Sequence, residues 1–371
     1  MRRAGALWPG LCSLPALHRA ALAARRRKRY AAGSLDFFFR LEHELAALYR
    51  ELSDGGYCPG PYSTFWIEDP KRRLISAAPF RDRVVHHALM AVLGPVLEAR
   101  LPGSSFANRI GRGTHRALRL ARHHLDHSQC VLVLDVWRFF PSIDHSLLLA
   151  QVERAVKCQK TLALLRQVVA ASPPQEDPGR PYFPDDDLFA PALRRRGLPI
   201  GNLTSQHLAN FYLAGVDRLV LERLRLPRHV RFMDDLLVFG DDRARLIEAR
   251  AAIDAELLRL RLRPHPLKTR VQPTRAGFSF LGFDLRPGRA RLPRPALGRA
   301  RRHLLGLAGR VRRGERPPGD LLASLRAWRN HAAQAEAPAV VEAVCEEVLQ
   351  RFRPAHQGEP ARRSPAASPS R

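Results

Sequence analysis

The sequence predicts an α+β fold in which a small antiparallel sheet packs against helices. Apolar residues recur at three- and four-residue steps from Leu35 to Leu52, which is the period of an amphipathic helix. Residues 131–134 instead form a continuous apolar run that ends at Asp135, as expected of a buried central strand. Two short apolar runs within 230–239 flank the pair Asp234-Asp235, which predicts a β-hairpin with both carboxylates at its turn.

The same helix and strand patterns predict the remaining elements along the chain. Helices are expected at about 82–101, 114–127, 145–171, 205–224, 242–260, 319–335 and 338–352, and short strands at 62–67, 73–77 and 278–285. The stretch 172–196 is rich in Pro and Asp and is predicted to be a surface loop. The final stretch, 354–371, is rich in Pro, Ser and Arg and is predicted to be disordered.

The charge of the chain predicts its partners. Its 371 residues carry 62 Lys and Arg against 35 Asp and Glu, a formal net charge of +27. The positive charge is spread along the whole length and is mostly arginine, which suits bidentate contacts with phosphate. Nucleic acid is therefore the expected partner, with acidic membranes or acidic proteins as the alternative. A hydrophobic content of 45% is enough for a substantial core and excludes a disordered basic tail.

Two features predict a cytoplasmic location with no membrane association. No apolar run approaches the roughly 18 residues of a membrane-spanning helix. Prolines interrupt the apolar patch of the N-terminus and a basic run follows it, which argues against a signal peptide. The five cysteines have neither zinc-binding nor disulfide spacing, so we expect reduced thiols.

Three aspartates are the candidate catalytic residues. Asp135 follows one apolar strand, and Asp234 and Asp235 lie between two others. Phosphoryl transfer onto a 3′-hydroxyl uses two divalent ions about 3.5–4 Å apart, for which carboxylates are the preferred ligands. An Asp-Asp pair alone is weak evidence, because 185–187 and 241–242 are also acidic and are expected on solvated loops. The apolar framing of Asp234-Asp235 sets that pair apart.

These residues resemble the motifs of a known family. Phe232-Met233-Asp234-Asp235 resembles the aromatic-x-Asp-Asp box of reverse transcriptases, with Phe in place of the commoner Tyr. Six further segments are similar to family motifs in the expected order: 79–88 and 109–115 (fingers), 134–144 (first catalytic aspartate), 197–206 (template and nucleotide positioning), 265–269 (a lysine) and 280–283 (primer grip). The chain therefore resembles bacterial reverse transcriptases over about residues 7–350.

The resemblance implies a right-hand polymerase with fingers, palm and thumb, in which the small antiparallel sheet belongs to the palm. The implied organisation is a basic N-terminal arm (1–30), fingers (31–128), palm (129–285, with the loop 172–196), thumb (286–353) and a disordered tail (354–371).

The resemblance also implies roles for individual residues. Asp135, Asp234, Asp235 and the backbone carbonyl of Val136 would bind two Mg²⁺ ions, with Mn²⁺ as a possible substitute, and Lys268 would act as a general acid. The nucleotide-binding residues would be Arg81 and Arg109 (triphosphate clamp), Val136, Phe140 (steric gate against a 2′-hydroxyl), Ile200 and Gln206, and the primer grip would be Phe280, Leu281 and Gly282. The alternatives are a core aromatic for Phe140, surface charge for the arginines and a solvated lysine for Lys268.

Three segments, 75–80, 201–206 and 325–332, resemble the enzymes of diversity-generating retroelements. This resemblance implies error-prone copying of a template RNA into cDNA, with an RNA/DNA duplex and dNTPs as ligands and a small basic accessory protein as partner. Ile200 stands where the retroviral-type pattern has a glutamine, which predicts reduced fidelity. A retron-like or phage-defence reverse transcriptase and a non-catalytic RNA-binding scaffold are the alternatives.

Overall fold

The computed structural model describes residues 2–26, 31–68, 72–176, 179 and 181–352. The chain divides between Phe278 and Ser279 into two compact units. The predicted disordered tail, 354–371, and residues 27–30 of the predicted N-terminal arm lie outside the described residues.

The first unit holds most of the secondary structure. Its helices are α1 (Trp8–Leu11), α2 (Leu14–Arg25), α3 (Ala32–Phe39), α4 (Leu41–Asp54), α5 (Phe80–Glu98), α6 (Thr114–Asp126), α7 (Phe139–Ser142), α8 (His145–Glu153), α9 (Gln159–Ala170), α10 (Ala190–Leu193), α11 (Leu203–Tyr212), α12 (Ala214–Arg218) and α13 (Arg243–Arg259), with a π-helical turn at Leu219–Arg223. Its strands are β1 (Ser63–Ile67), β2 (Arg73–Ala77), β3 (Cys130–Asp135), β4 (His229–Phe232), β5 (Asp235–Gly240) and β6 (Arg270–Pro273).

A four-stranded antiparallel sheet with the order β4-β5-β3-β6 forms the centre of this unit. Leu132 of β3 faces Val238 of β5, and both side chains are fully buried. The apolar runs of the two central strands are continuous because helices α6 and α13 pack against the sheet. The predicted α+β class, with a small antiparallel sheet packed on helices, is confirmed.

Helix α5 organises the helical part of the unit. Helices α1, α2, α3, α9 and α11 all contact it, which explains why apolar residues occur all round it, among them Val85, Leu89 and Leu93. Helix α2 lies in the predicted basic arm, yet Leu17 and Ala21 are fully buried. Residues 8–25 are therefore part of the core of this unit.

The structure divides several helices and strands that the sequence predicts as continuous. The predicted helix 145–171 is two helices, because the backbone between α8 and α9 pairs with the N-terminus: Lys157 N donates to Ala4 O at 2.7 Å and Ala4 N donates to Ala155 O at 2.8 Å. The predicted helix 35–52 is interrupted at Arg40, where the backbone leaves helical geometry. The predicted helix 205–224 likewise consists of α11, α12 and the π-helical turn.

An ion-pair cluster anchors the predicted surface loop 172–196 at Asp186 and Arg194, which both lie in its described part 181–196. The side chains of Arg194 and Asp186 pair with each other and are only 3% and 1% exposed. Asp144 at the start of α8 joins them, with its Oδ2 atom 3.5 Å from Arg194 Nε and 2.6 Å from Arg261 Nη1. The expectation that Asp186 lies on a solvated loop is therefore wrong: its carboxylate is buried against arginine.

A three-stranded sheet is formed by β7 (Phe278–Phe280), β8 (Phe283–Arg286) and β9 (Arg289–Arg291), and all of it except Phe278 belongs to the second unit. The helices of this unit are α14 (Arg294–Arg312), α15 (Pro318–Ala332) and α16 (Pro338–Phe352). The three helices pack together through Leu304, Leu325 and Val348. The predicted strand 278–285 is two strands joined at Leu281 and Gly282, whose φ angles are +50° and +86°. Two consecutive positive φ angles are typical of a tight two-residue hairpin turn, and glycine adopts one without strain.

None of the helices within the described ranges is long and apolar enough to span a bilayer.

Candidate active site

The candidate catalytic aspartates of the two sequence motifs meet at the end of the central strand pair. Strands β3 and β5 are antiparallel, and their register ends with Asp135 directly opposite Asp235. Residues that face each other across an antiparallel pair have Cα atoms about 4.5–5.5 Å apart. The structure therefore brings together two carboxylates that are far apart in sequence, as the two-metal hypothesis requires.

Asp234 lies in the tight turn between β4 and β5. Phe232 pairs with Asp235, so Met233 and Asp234 are the two turn residues, and Met233 has a left-handed backbone with a φ of +60°. Burial raises the pKa of Asp234 to about 6, and the neighbouring charge of Asp135 acts in the same direction. Lys268 and Arg73 lower that pKa only in part, so a further cation at this position would favour the ionised form.

Lys268 reaches the site because its segment lies along the end of β3. Trp137 N donates to Arg263 O at 2.8 Å, and His265 N donates to Asp135 O at 2.7 Å. This pairing carries the chain to Lys268, whose ammonium group contacts the Asp135 carboxylate. Lys268 therefore lies beside the carboxylates of the candidate site, although its side chain is 46% exposed.

A cavity of about 470 Å³ surrounds these groups, which is a typical volume for a ligand site. Its walls include the predicted residues Asp135, Val136, Phe140, Ile200, Asp234, Asp235 and Lys268. Phe140 is half-buried, whereas Phe139 is buried in the core and packs edge-on against it, with ring centroids 5.6 Å apart.

Ile200 is held beside this cavity by its backbone. Its carbonyl accepts a hydrogen bond of 3.3 Å from Ser76 N on β2, and the next residue, Gly201, has a φ of +109°. A side chain at residue 201 would strain this backbone and would approach Ile75 Cγ2 to 3.4 Å. The backbone conformation and the nearby Ile75 side chain thus explain why residue 201 is a glycine.

Three predicted nucleotide-binding residues are not among those that line the cavity. Arg81 pairs with Glu51 at 2.5 Å, and Arg109 donates to Glu98 Oε1 at 3.3 Å and to Ser105 O at 2.9 Å. Gln206 is half-buried on α11. The contacts of the two arginines lie within the helical part of the first unit, so the structure does not support the predicted triphosphate clamp by Arg81 and Arg109.

Besides Arg138, two arginines that were not predicted from the sequence line the cavity. Arg72 and Arg73 line the cavity at the start of β2, where Arg73 pairs with Ile67 of β1. The guanidinium of Arg72 lies 4.2 Å from the centroid of the Trp66 ring. Recognising the two short predicted strands as one hairpin, with basic residues near its turn, would have identified them.

The predicted primer-grip residues lie in the second unit. Phe280 is buried, and Leu281 and Gly282 form the turn of the β7–β8 hairpin. The exposed Gly282 therefore presents backbone at the tip of a hairpin.

The three aspartates suit a hard divalent cation. No group of three or more His, Cys, Asp or Glu side chains in the described ranges converges closely enough to bind a metal ion by itself. Mg²⁺ does not require such a group, because it retains waters and substrate phosphates and binds through one or two carboxylates. The donor set fits Mg²⁺ or Mn²⁺: the carboxylates of Asp135 and Asp235 lie on facing strands, and the half-buried carboxylate of Asp234 lies in the adjoining turn, where its charged form is disfavoured without added positive charge.

Comparison with known proteins gives one family. The family model "Reverse transcriptase (RNA-dependent DNA polymerase)" matches residues 68–285, more than half of the chain.

Two curated relatives and one solved structure are similar to parts of the chain. Protein YkfC of Escherichia coli (strain K12) is 28% identical over 191 residues, which cover 50% of this chain and 47% of the relative. The group II intron-encoded protein LtrA of Lactococcus lactis subsp. cremoris is 24% identical over 184 residues, covering 49% of this chain and 29% of LtrA. The matches thus span less than half the length of these relatives. The structure of apo telomerase from Candida tropicalis superposes on this chain with a TM-score of 0.50 and 11% sequence identity. The superposition covers 80% of this chain and 58% of the telomerase chain, and it shows a similar fold.

The raised pKa of half-buried Asp234 predicts that its ionised carboxylate destabilises the metal-free protein. At pH 8 the ionised carboxylate is disfavoured by burial and by Asp135, so Asp234→Asn should increase the stability of the metal-free protein by about 1 kcal/mol, or about 2 °C in Tm. Mg²⁺ or Mn²⁺ should raise the Tm of the wild type more than that of the variant. Thermal unfolding with and without metal measures both effects. Asp185→Asn, at an exposed aspartate, is the control, and an unchanged or lower Tm for metal-free Asp234→Asn would contradict the prediction.

Proposed function

Because this chain belongs to the reverse transcriptase family, we propose that it copies template RNA into DNA in the cavity that holds Asp135, Asp234 and Asp235. The observation that carries the proposal is the register that places Asp135 opposite Asp235, with Asp234 in the adjoining turn. In the reaction, a primer 3′-hydroxyl attacks the α-phosphate of a dNTP, a new P–O bond forms and pyrophosphate leaves. Bound Mg²⁺ would activate the attacking oxygen and stabilise the leaving pyrophosphate.

The basic side chains of the cavity supply the remaining charge. Arg73 interacts electrostatically with Asp234, and Lys268 contacts Asp135. Both lie where the negative triphosphate of a bound dNTP would approach the aspartates. We assign Arg73 to the triphosphate, and we assign Lys268 to hold and release the proton that the leaving pyrophosphate takes up.

The apolar wall suits the sugar of the nucleotide. Phe140 and Ile200 both line the cavity that contains the aspartates. A ring at Phe140 would leave no room for a 2′-hydroxyl and would select dNTPs over ribonucleotides.

The second unit suits a nucleic acid duplex. The exposed surface of α14 carries arginines, among them Arg299, Arg302, Arg310 and Arg312. Contacts of this kind bind phosphates without reading sequence, so they would hold an RNA/DNA duplex of any sequence. Selection of a particular template RNA then requires RNA structure or a partner such as a small basic accessory protein.

Primer extension tests the activity. The wild type should extend a DNA primer on an RNA template with dNTPs and Mg²⁺, and chelation of the metal should stop the reaction. Asp135→Asn and Asp234→Asn should each lose about a thousandfold in rate or more, because several kcal/mol of transition-state stabilisation disappear. Asp185→Asn, an exposed aspartate, should extend as the wild type does. Equal extension by the wild type and Asp234→Asn would refute the proposed site, and no extension by any protein would favour an RNA-binding scaffold.

The two arginine assignments make opposite predictions. Arg73→Ala should raise the KM for dNTP about tenfold, because it removes a charge-assisted contact to phosphate. Arg109→Ala should lower stability and leave that KM unchanged, because its donors bind Glu98 and backbone carbonyls. Steady-state kinetics and thermal unfolding of both variants measure these effects. A raised KM in Arg109→Ala alone would restore the assignment made from the sequence.

We further propose that the enzyme belongs to a diversity-generating retroelement in the bacterial cytoplasm, and that its copying is error-prone. The segments 75–80, 201–206 and 325–332 and the aliphatic Ile200 support this proposal. A second candidate is an intron-type retroelement enzyme, which the similarity to LtrA favours. A retron-like or phage-defence enzyme shares the same catalytic core, and a template RNA encoded beside the gene would favour the first candidate.

The fidelity proposal predicts the effect of one substitution. Ile200→Gln places a hydrogen-bonding group in the wall of the cavity, near the nucleotide sugar, and should lower the misincorporation frequency by adding a polar check on nucleotide geometry. Sequencing of cDNA made by wild type and variant on one template measures the error spectra. Leu267→Gln, at an exposed position on the same unit, is the matched control. Identical spectra for wild type and Ile200→Gln would count against this role.

A further inference from the structure

A buried arginine lies beside the catalytic turn and has no part in the chemistry proposed above. Arg231 is on β4, and its side chain is 1% exposed. Its guanidinium makes a bidentate pair with Asp217 of α12: Nε donates to Oδ1 at 2.7 Å and Nη2 donates to Oδ2 at 2.6 Å. Burial acts to raise the pKa of Asp217, but Arg231 and His229 hold it well below its usual range, so this carboxylate is ionised.

The same guanidinium bonds directly to the turn that presents the aspartates. Nη1 of Arg231 donates to the carbonyl of Met233 at 3.0 Å. Met233 has a left-handed backbone, which residues other than glycine rarely adopt, and its peptide leads into Asp234. The hydrogen bond to its carbonyl therefore favours the conformation that points Asp234 into the cavity.

Further contacts fix the guanidinium in place. Asn210 accepts twice, through Oδ1 at 2.8 Å and through its backbone carbonyl at 3.0 Å, and Ser105 Oγ accepts from Nη2 at 3.1 Å. The backbone of residue 231 is held as well: its N–H donates to Ser104 O at 2.9 Å, and its carbonyl accepts from Phe106 N at 3.0 Å. The outer edge of β4 is thus hydrogen-bonded to segment 104–106. The guanidinium itself is held by Asp217, Asn210 and Ser105.

Stability alone does not require such a pair. Removing two charges from water is costly, and well-packed apolar residues often stabilise a core as well as a buried ion pair does. What an apolar residue lacks is a donor directed at the Met233 carbonyl. Lysine lacks the geometry as well, because its ammonium is a single point and does not reproduce a bidentate pair together with a bond to the turn.

We propose that Arg231, oriented by Asp217, is a positioning residue that sets the Met233 turn and thereby the placement of Asp234 and Asp235 relative to Asp135. The proposal rests on the proposed function, in which these carboxylates bind the catalytic metal ions. Substitution of Arg231 leaves all three aspartates in the protein but changes the distances between their carboxylates. Residues that orient metal ligands are typically worth about 10- to 100-fold in metal affinity or activity.

The test is the metal dependence of primer extension by Arg231→Lys. We expect the Mg²⁺ concentration at half-maximal rate to rise about tenfold or more, measured at saturating dNTP and primer-template. At saturating Mg²⁺ the KM for dNTP should stay within about twofold of wild type, because no triphosphate contact is lost. Activity is normalised to the folded fraction, which circular dichroism measures. Mn²⁺ binding to the protein without nucleic acid gives a second, activity-independent readout and should weaken in parallel.

The matched control is Arg194→Lys. Arg194 is also a buried arginine, but the carboxylates it pairs with are Asp144 and Asp186 and not the three aspartates of the candidate site. It should lose stability without a change in the half-saturating Mg²⁺ concentration. A purely structural role of Arg231 predicts the same behaviour for Arg231→Lys, and that result would overturn the proposal.

A milder variant keeps the test decisive if Arg231→Lys does not fold. Ser105→Ala removes one acceptor of the guanidinium and leaves the pair with Asp217 intact. It should raise the half-saturating Mg²⁺ concentration about threefold, as expected for one hydrogen bond. An unchanged value in Ser105→Ala together with unfolded Arg231→Lys would reject the positioning role. Absence of extension by the wild type would instead reject the proposed function, and the Mn²⁺ binding measurement would still decide the role of Arg231.

Discussion

The antiparallel pairing of β3 with β5 is the interaction on which the site depends. Side chains alternate between the two faces of a strand, so a shift of one residue would move Asp235 to the other face of the sheet, away from Asp135. The register is specified by buried apolar pairs such as Leu132 with Val238. The packing of the core and the geometry of the carboxylates are therefore set by the same contacts, and neither can change alone.

The site gathers like charges, and the structure limits the cost of doing so. Asp234 is a half-buried carboxylate near Asp135, and desolvation disfavours its charged form. Lys268 contacts Asp135, and Arg73 acts on Asp234 from the β1–β2 hairpin. These two basic residues offset the cost of the carboxylate charges only in part, because the pKa of Asp234 remains raised. Perturbed pKa values of this kind are common at functional sites. Local strain at Met233 belongs to the same pattern, since positive φ at such a residue persists only where surrounding contacts support it.

Arginine in this chain has two distinct structural uses. Some arginines are exposed and suit phosphate, as on α14. Others are largely buried and bind carboxylates or backbone carbonyls: Arg231 beside the Met233 turn, Arg194 beside Asp186, and Arg109 beside Glu98 at the end of α5. Net charge alone does not separate the two classes. Only the contacts of each guanidinium do, and for Arg109 they favour a structural role.

The sequence by itself determined the fold class and the β-hairpin that carries Asp234 and Asp235. These features depend on local signals, namely apolar periodicity, turn placement and motif order, which act over a few residues and survive in any context. Only the tertiary structure decided which basic residues line the cavity. Arg73 and Arg109 have the same side chain, so the sequence does not show which of them lines the cavity. The fold places Arg73 in the cavity wall and Arg109 beside Glu98. The same holds for the division of the predicted helix 145–171 and for the pair Arg231–Asp217, because both depend on partners that are distant along the chain.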